Sequence, residues 1–532
     1  MEVLELASRA AEIAKVSAKG GFHLFWGIVV STVVSAVGVI VLARVLPPED
    51  YGLYTIALAA PTLIGIFRDW GMNSAVTKYT AQYGAEGEPG RVQSILLAGL
   101  VFEVILGVVL SFLSLLLSGF IAADIFRRPI TALIQISSFT ILAGAFSTAA
   151  QAAFIGREQM QLNSILLVSQ ALFRAVLCPA LVVLGLGVSG AVVGYVVGLL
   201  GGGLIGVFLM LEIYEDLSPQ DGSAGSLKVW ETMKFMFRYG LPLSFSSIFN
   251  SFLGQFYNVL IAIYASNALI GNYAVATNFA VLLTFFSMPI ATVLFPAFSK
   301  LNSEKDKETL KVVFQSSVKY STLLVVPPTV AMMALAGPAV SALFGAKYAS
   351  APLFLALFVV NYLLTAFASL SAGNLISGQG ETGLFLKIAI VNVATGIPLA
   401  VLLVPTFGVI GLIITTIFDG VPGLVISLHW IKRHFDASVD WVSSAKILTS
   451  SALAGVLTYC VVLFVSLSSW PKLILGLVVF AGSFLLSAVT TRTLKKSDID
   501  TLRLMTSDLG PLSGVTSKIL NFLERLVSLS VA

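Results

Sequence analysis

Eight ionisable side chains fall inside or at the ends of long apolar runs, and these are the positions where the chain could do chemistry. Five are cationic (Arg44, Arg68, Arg174, Arg238 and Lys387) and three are acidic (Asp69, Glu103 and Asp419). A charge at mid-bilayer costs about 2.5–3.5 kcal/mol on insertion scales, so such groups face a bundle interior or water. Arg44, Arg68 and Arg238 stand near run ends, where snorkelling to lipid head groups is the competing reading. Lys387 opens its run and reads as an anchor. Arg174 lies deep in its run, so it needs either a fixed partner such as Glu103 or a wet cavity. A guanidinium presents a planar fork that matches phosphate. The four arginines are therefore candidate substrate-binding residues for an anionic head group, and Asp69, Glu103 and Asp419 are the candidates for ion coupling.

A second polar signal runs along residues 236–264. Ser247, Asn250, Ser251, Gly254 and Asn258 share one stripe at i, i+3, i+4, i+7 spacing. Such a stripe either hydrogen-bonds neighbouring helices or lines a wet cavity. Asn272 and Asn278 in the next run would join it, and on the cavity-lining alternative Asn250, Asn258 and Asn272 are candidate binding residues. Gly185-Leu-Gly-Val-Ser-Gly190 fits the dinucleotide pattern, but it joins two apolar runs rather than a strand to a helix. Gly190, Gly194, Gly198 and Gly202 instead repeat every four residues, a small-residue face for close helix packing. No Walker loop, HExxH, Cys-x-x-Cys or serine-nucleophile motif occurs. The chain accordingly does not read as an enzyme, and no catalytic residue, cofactor or metal is expected. Cys178 and Cys460 read as small apolar filler.

These side chains must be held by membrane helices. The 532 residues are 57% apolar and 11% charged, against about 25% charged in average soluble domains. The mean hydropathy is +0.96. The apolar residues are gathered in runs that match the roughly 20 residues a crossing needs, so the expected fold class is an all-α polytopic membrane protein. Fourteen runs are expected, from 22–46 to 472–491. Residues 1–21 alternate charge and apolar groups and suggest an amphipathic segment. Spans one to six occupy 22–211 and a linker 212–233, with spans seven to twelve over 234–434. Two extra spans fill 435–496, and an amphipathic tail follows over 497–532.

Lys and Arg cluster in the loops after even-numbered spans, which places both termini in the cytoplasm. An internal repeat crosses the linker. Asp50-Tyr-Gly-Leu-Tyr54 pairs with Ile270-Gly-Asn-Tyr273, and Gly187-Val-Ser-Gly190 with Gly408-Val-Ile-Gly411. Six spans per half make the halves parallel repeats about an axis along the membrane normal. Prolines at 61, 242, 289, 327, 328 and 398 interrupt spans, either as hinges or as static kinks.

In wording as well as pattern, "LPPEDYGLY" followed by "RDWGMNSAVTKYTA" resembles the polysaccharide exporters of the multidrug/oligosaccharidyl-lipid/polysaccharide superfamily. The resemblance implies two six-helix lobes around a cavity, working by alternating access. It also implies flipping of a polyprenyl-phosphate or diphosphate oligosaccharide from the cytoplasmic to the outer leaflet of the cell membrane. Expected partners are that substrate, membrane lipids and glycan-assembly enzymes, with no nucleic acid, and the expected state is a monomer. A drug or organic-cation antiporter of the same superfamily is the alternative. It would need a dominant buried carboxylate.

Overall fold

The computed structural model describes residues 2–217, 229–301 and 306–491, together with Thr493, Arg503, Asn521 and Glu524. Most of the expected linker and nearly all of the expected amphipathic tail lie outside the described residues. The described residues form nineteen α-helices with short 3₁₀ and π segments between them, and no strand. They are α1 (Glu2–Val45), α2 (Pro48–Gly65), α3 (Met72–Ala85), α4 (Pro89–Phe120), α5 (Thr131–Gly156), α6 (Met160–Leu181), α7 (Gly187–Asp216), α8 (Val229–Tyr264), α9 (Asn267–Ala280) and α10 (Thr284–Ser299). The remainder are α11 (Lys307–Ala334), α12 (Ala336–Leu343), α13 (Ala351–Phe358), α14 (Val360–Leu363), α15 (Ser369–Gly378), α16 (Thr382–Phe418), α17 (Val421–Phe435), α18 (Trp441–Phe464) and α19 (Ser469–Thr490).

Local chemistry explains several boundaries. Pro47 is extended and Pro48 occupies the first turn of α2, followed by Glu49 and Asp50 where acids favour the helix dipole. Residues 185–190 join α6 to α7 through a π segment and a kink, with Gly185 at φ +91°, so the dinucleotide-like glycines serve a membrane hairpin. A second kink falls at Gly408 (φ +56°) within α16. By contrast, α11 passes through Pro327 and Pro328 and bends, by 74°, only between Ala334 and Ala336.

Among the described residues nine helical stretches are long and apolar enough to cross a membrane, or eleven if each of two bent pairs makes one span. The stretches Met160–Asp216 and Gly383–Phe435 run to 57 and 53 residues, more than twice one crossing. Large apolar side chains also face outward, Phe464 at 82% exposure and Leu184 at 75%. That surface is the reverse of a soluble protein's and suits lipid.

The chain divides into two compact units, Met1–Asn278 with Val393–Thr415, and Phe279–Asn392 with Thr416–Ala532. In the first, α3 to α8 close on a core of Val76, Leu96, Phe154, Leu166 and Met236. Hydrophobicity does not drive helices together in lipid, so close contact depends on small residues. The glycine face of α7 shows this. A Cβ on Gly194 or Gly198 would lie 2.7 Å from Cys178 or Arg174 of α6, and one on Gly202 would strike Gln170. In the second unit, Phe298, Phe314, Leu375, Ile431 and Phe435 form the main core.

Candidate functional site

A cavity of about 390 Å³ opens within the first unit, walled by α1, α2, α6, α7, α8 and α9. Its polar lining includes Tyr54 of α2, Arg174 of α6, Tyr195 of α7, Gln255 and Asn258 of α8, and Tyr273 of α9. Arg174 is the single charged residue among the described lining residues, and none of them is a carboxylate. A second recess of about 70 Å³ shares Arg174, Tyr51, Tyr54 and Tyr195 with it.

The helices that carry these groups are brought together by close backbone crossings. Gly198 removes a side chain where α7 passes over Arg174, so the arginine stem is held against α7 backbone. From there the guanidinium lies 5.4 Å from the centre of the Tyr195 ring, within cation–π range. Its Nε donates to Gln170 O at 3.3 Å, and no ion pair to Arg174 is present among the described residues. On the facing side α2 crosses α9 at Gly52 and Gly271. A Cβ on Gly52 would strike Asn267 O, and one on Gly271 would strike Pro48 O. This crossing sets Tyr54 and Tyr273 on the same cavity. The Tyr54 ring meets Tyr195 edge to face at 6.2 Å and Tyr51 at 5.8 Å. Asn278 Nδ2 donates to Tyr51 Oη at 3.5 Å, and Asn258 Nδ2 to Gln255 Oε1 at 3.1 Å. At one end of α8, the Arg128 guanidinium donates to Ala262 O and Ala265 O, satisfying carbonyls that a helix terminus leaves open.

Three other ionisable candidates meet elsewhere in the unit. Arg68 Nε contacts Glu103 Oε2 at 2.7 Å, with Glu103 fully buried. The arginine also donates to Ile141 O at 3.0 Å and to Thr148 Oγ1 at 3.1 Å, and Gly144 leaves it the room to do so. Asn73 Nδ2 donates to Glu103 Oε1 at 2.8 Å, and Asp69 Oδ1 accepts from Asn73 N at 3.3 Å. Glu103 is thus engaged by Arg68 and Asn73, not by Arg174. This closed network ties the 3₁₀ turn Ile66–Arg68 to α3, α4 and α5.

The remaining candidates are dispersed. Arg44 and Arg238 are exposed. Asn272 is buried and donates to Ala268 O one turn back. The side chain of Asn250 lies outside the described residues, and Asp419 belongs to the second unit. Arg174 and Asn258 are the two substrate-binding candidates on the cavity wall. Sequence reasoning passed over Tyr54, Tyr195, Tyr273 and Gln255, although one signal was present. Tyr54 and Tyr273 occupy matching positions of the internal repeat, two residues beyond Gly52 and Gly271.

Comparison with known proteins follows this architecture. The family described as polysaccharide biosynthesis protein matches residues 17–302, and the family described as lipid II flippase MurJ matches residues 181–480. Each covers more than half of the chain. Two Haloferax volcanii proteins are similar. "Probable low-salt glycan biosynthesis flippase Agl15" is 22% identical over 46% of this chain and 52% of its own length, and "Probable flippase AglR" is 23% identical over 52% and 56%. The chain therefore spans about half the length of these curated relatives. Among solved structures, the lipid II flippase MurJ in an inward closed conformation superposes with a TM-score of 0.70 at 14% identity, covering 88% of this chain and 98% of the other. An inward-facing multidrug resistance MATE family transporter gives 0.60 at 17% identity, covering 76% and 94%. At these identities the superpositions establish the fold, and the family matches establish kinship: the chain belongs to the polysaccharide biosynthesis protein family, with residues 181–480 also matching the lipid II flippase MurJ family.

Proposed function

We propose that the protein flips a polyprenyl-phosphate or diphosphate oligosaccharide from the cytoplasmic to the outer leaflet of the cell membrane by alternating access, with no catalytic step of its own. The observation that carries this reading is the cavity of the first unit, whose described lining holds one arginine, no carboxylate, and a wall of tyrosines and amides. A guanidinium without a carboxylate partner near mid-membrane suits a phosphate, which it can grip with two parallel bonds. The kinship to flippases supports the same substrate class. Moving about two negative charges outward down an inside-negative potential of about 100 mV releases roughly 4–5 kcal/mol, so no ATP site is required. Counting each of the two kinked stretches as two crossings, each bent pair as one and α8 as one gives fourteen spans, which we arrange as lobes 22–211 and 234–434 with two further spans. Both termini then face the cytoplasm, as the lysine and arginine distribution favours. A cation antiporter would want a carboxylate where this cavity has Arg174.

The test is translocation of a defined lipid-linked oligosaccharide by the full chain in sealed vesicles. Arg174→Ala is expected to keep its thermal stability and lose transport, and Arg174→Lys to rescue poorly because the fork is gone. Full transport by a stable Arg174→Ala protein would remove Arg174 from the site. Export of organic cations, with no movement of the lipid-linked sugar, would favour the antiporter.

A further inference from the structure

The cavity carries more recognition chemistry than a phosphate requires. Tyr54, Tyr195 and Tyr273 all line it and are only partly buried. Tyr54 and Tyr195 meet edge to face rather than stacked, so their mutual contact occupies a face of only one of the two rings. A buried tyrosine hydroxyl normally finds a partner. The hydroxyls of Tyr54 and Tyr195 have none among the described residues, and neither atom is sealed from the cavity. The amides are likewise half spent: the Gln255–Asn258 bond uses Gln255 Oε1 and one Asn258 N–H. It leaves the Gln255 amide nitrogen and the Asn258 carbonyl without a protein partner among the described residues. These are both donors and acceptors, set beside aromatic faces and next to one guanidinium.

We infer that Tyr54, Tyr195 and Tyr273 form a sugar subsite beside Arg174, taking the hexose attached directly to the lipid phosphate. The inference rests on the flippase reading above and deepens it. A pyranose has an apolar C–H face that lies flat on an aromatic ring, while its hydroxyls at the rim both donate and accept. Neutral aromatics, the unspent hydroxyls of Tyr54 and Tyr195 and the unspent amide groups of Gln255 and Asn258 match that pattern. An organic cation, which aromatic rings can also hold, would be repelled by the Arg174 guanidinium, which no carboxylate among the described lining residues offsets. Size decides how much of the glycan enters. About 390 Å³ falls near the lower end of the ~300–1,000 Å³ typical of small-molecule pockets. It therefore accommodates a phosphate and its first sugar rather than a whole oligosaccharide, and the distal sugars stay outside this cavity.

Three soluble short-chain probes separate the contributions on the detergent-solubilised full chain, read as ligand-induced thermal stabilisation. They are citronellyl phosphate, citronellyl phosphate carrying one hexose, and an uncharged citronellyl hexoside. The glycosylated phosphate is expected to bind more tightly than the bare phosphate. Tyr54→Ala and Tyr195→Ala should each reduce that preference roughly three- to tenfold, while the corresponding phenylalanine variants keep most of it because the ring face survives. Equal binding of the glycosylated and bare phosphates by the unmodified protein overturns the subsite, as does stabilisation by none of the probes, and neither result depends on a variant that folds. Binding of the hexoside without any gain from phosphate would support the subsite and sink Arg174 as the phosphate clamp. Lipid-linked oligosaccharide translocation that survives loss of both tyrosine rings would leave the flippase reading standing and remove the subsite.

Discussion

Arg68 and Arg174 carry the same charge on neighbouring parts of one unit, yet their surroundings give them different work. Arg68 is held by Glu103, Ile141 O and Thr148, whereas Arg174 has a tyrosine face and one backbone oxygen. Removing one partner of a buried pair leaves an uncompensated charge, at a cost of about 3–5 kcal/mol, while replacing both by apolar groups is often neutral. Arg68→Ala is therefore expected to lower the thermal midpoint sharply, and Arg68→Met combined with Glu103→Leu to recover most of it. If Glu103 instead couples transport to an ion, the double variant will be stable and its transport will no longer respond to an imposed gradient. Unfolding and flux measured on the same preparations distinguish the two outcomes.

At the scale of elements, the cavity depends on helices that approach closely where glycines stand. The α2–α9 crossing at Gly52 and Gly271 leaves no room for a Cβ on either residue. Gly52→Leu should force these helices apart and displace Tyr54, so poor folded yield or lost transport is expected, with Gly87→Leu, in open space and strained only locally by its positive φ, as the milder comparison. Normal yield and normal flux in Gly52→Leu would show that the crossing is dispensable. Helix α18 offers a test outside the bilayer. Asp440 caps its start, accepting from Ser443 N at 3.1 Å and from Ser443 Oγ at 2.5 Å. The Ser443 hydroxyl holds the Asp440 carboxyl below its usual range. A depressed carboxylate contributes stability that is complete above its unfolded-state pKa, about 3.9, and that fades as pH falls through the lower folded value. Asp440→Ala should cost about 1 kcal/mol at neutral pH, and the gap in midpoint between variant and parent should shrink below about pH 4. A gap that stays constant into acid would show that the cap is not the source.

For the molecule as a whole, the proposed fourteen-span arrangement carries a directional prediction. A tag placed within residues 218–226 is expected to react with a membrane-impermeant reagent only after the cell is opened. Labelling from outside intact cells would overturn the assignment of cytoplasmic termini and of two six-span lobes.

Composition and apolar run length determined the class of the protein, because in hydrocarbon every backbone polar group must be satisfied within the helix. No tertiary information is needed to reach that conclusion from 57% apolar residues. The sequence also marked Arg174, since a charge deep in an apolar run stands out against a costly background, and it marked the glycine face of α7 by its four-residue spacing. It could not pair Glu103 with Arg68 rather than Arg174, because a sequence separation of 35 positions leaves the contact to the packing of α3, α4 and α5. The tyrosines escaped notice for a related reason. A tyrosine in an apolar run is unremarkable by hydropathy, and whether its ring faces lipid, core or a cavity depends on how helices cross. The crossing at Gly52 and Gly271 and the approach at Gly198 decide this for Tyr54, Tyr273 and Tyr195, and backbone proximity of that kind exists only once the helices are packed.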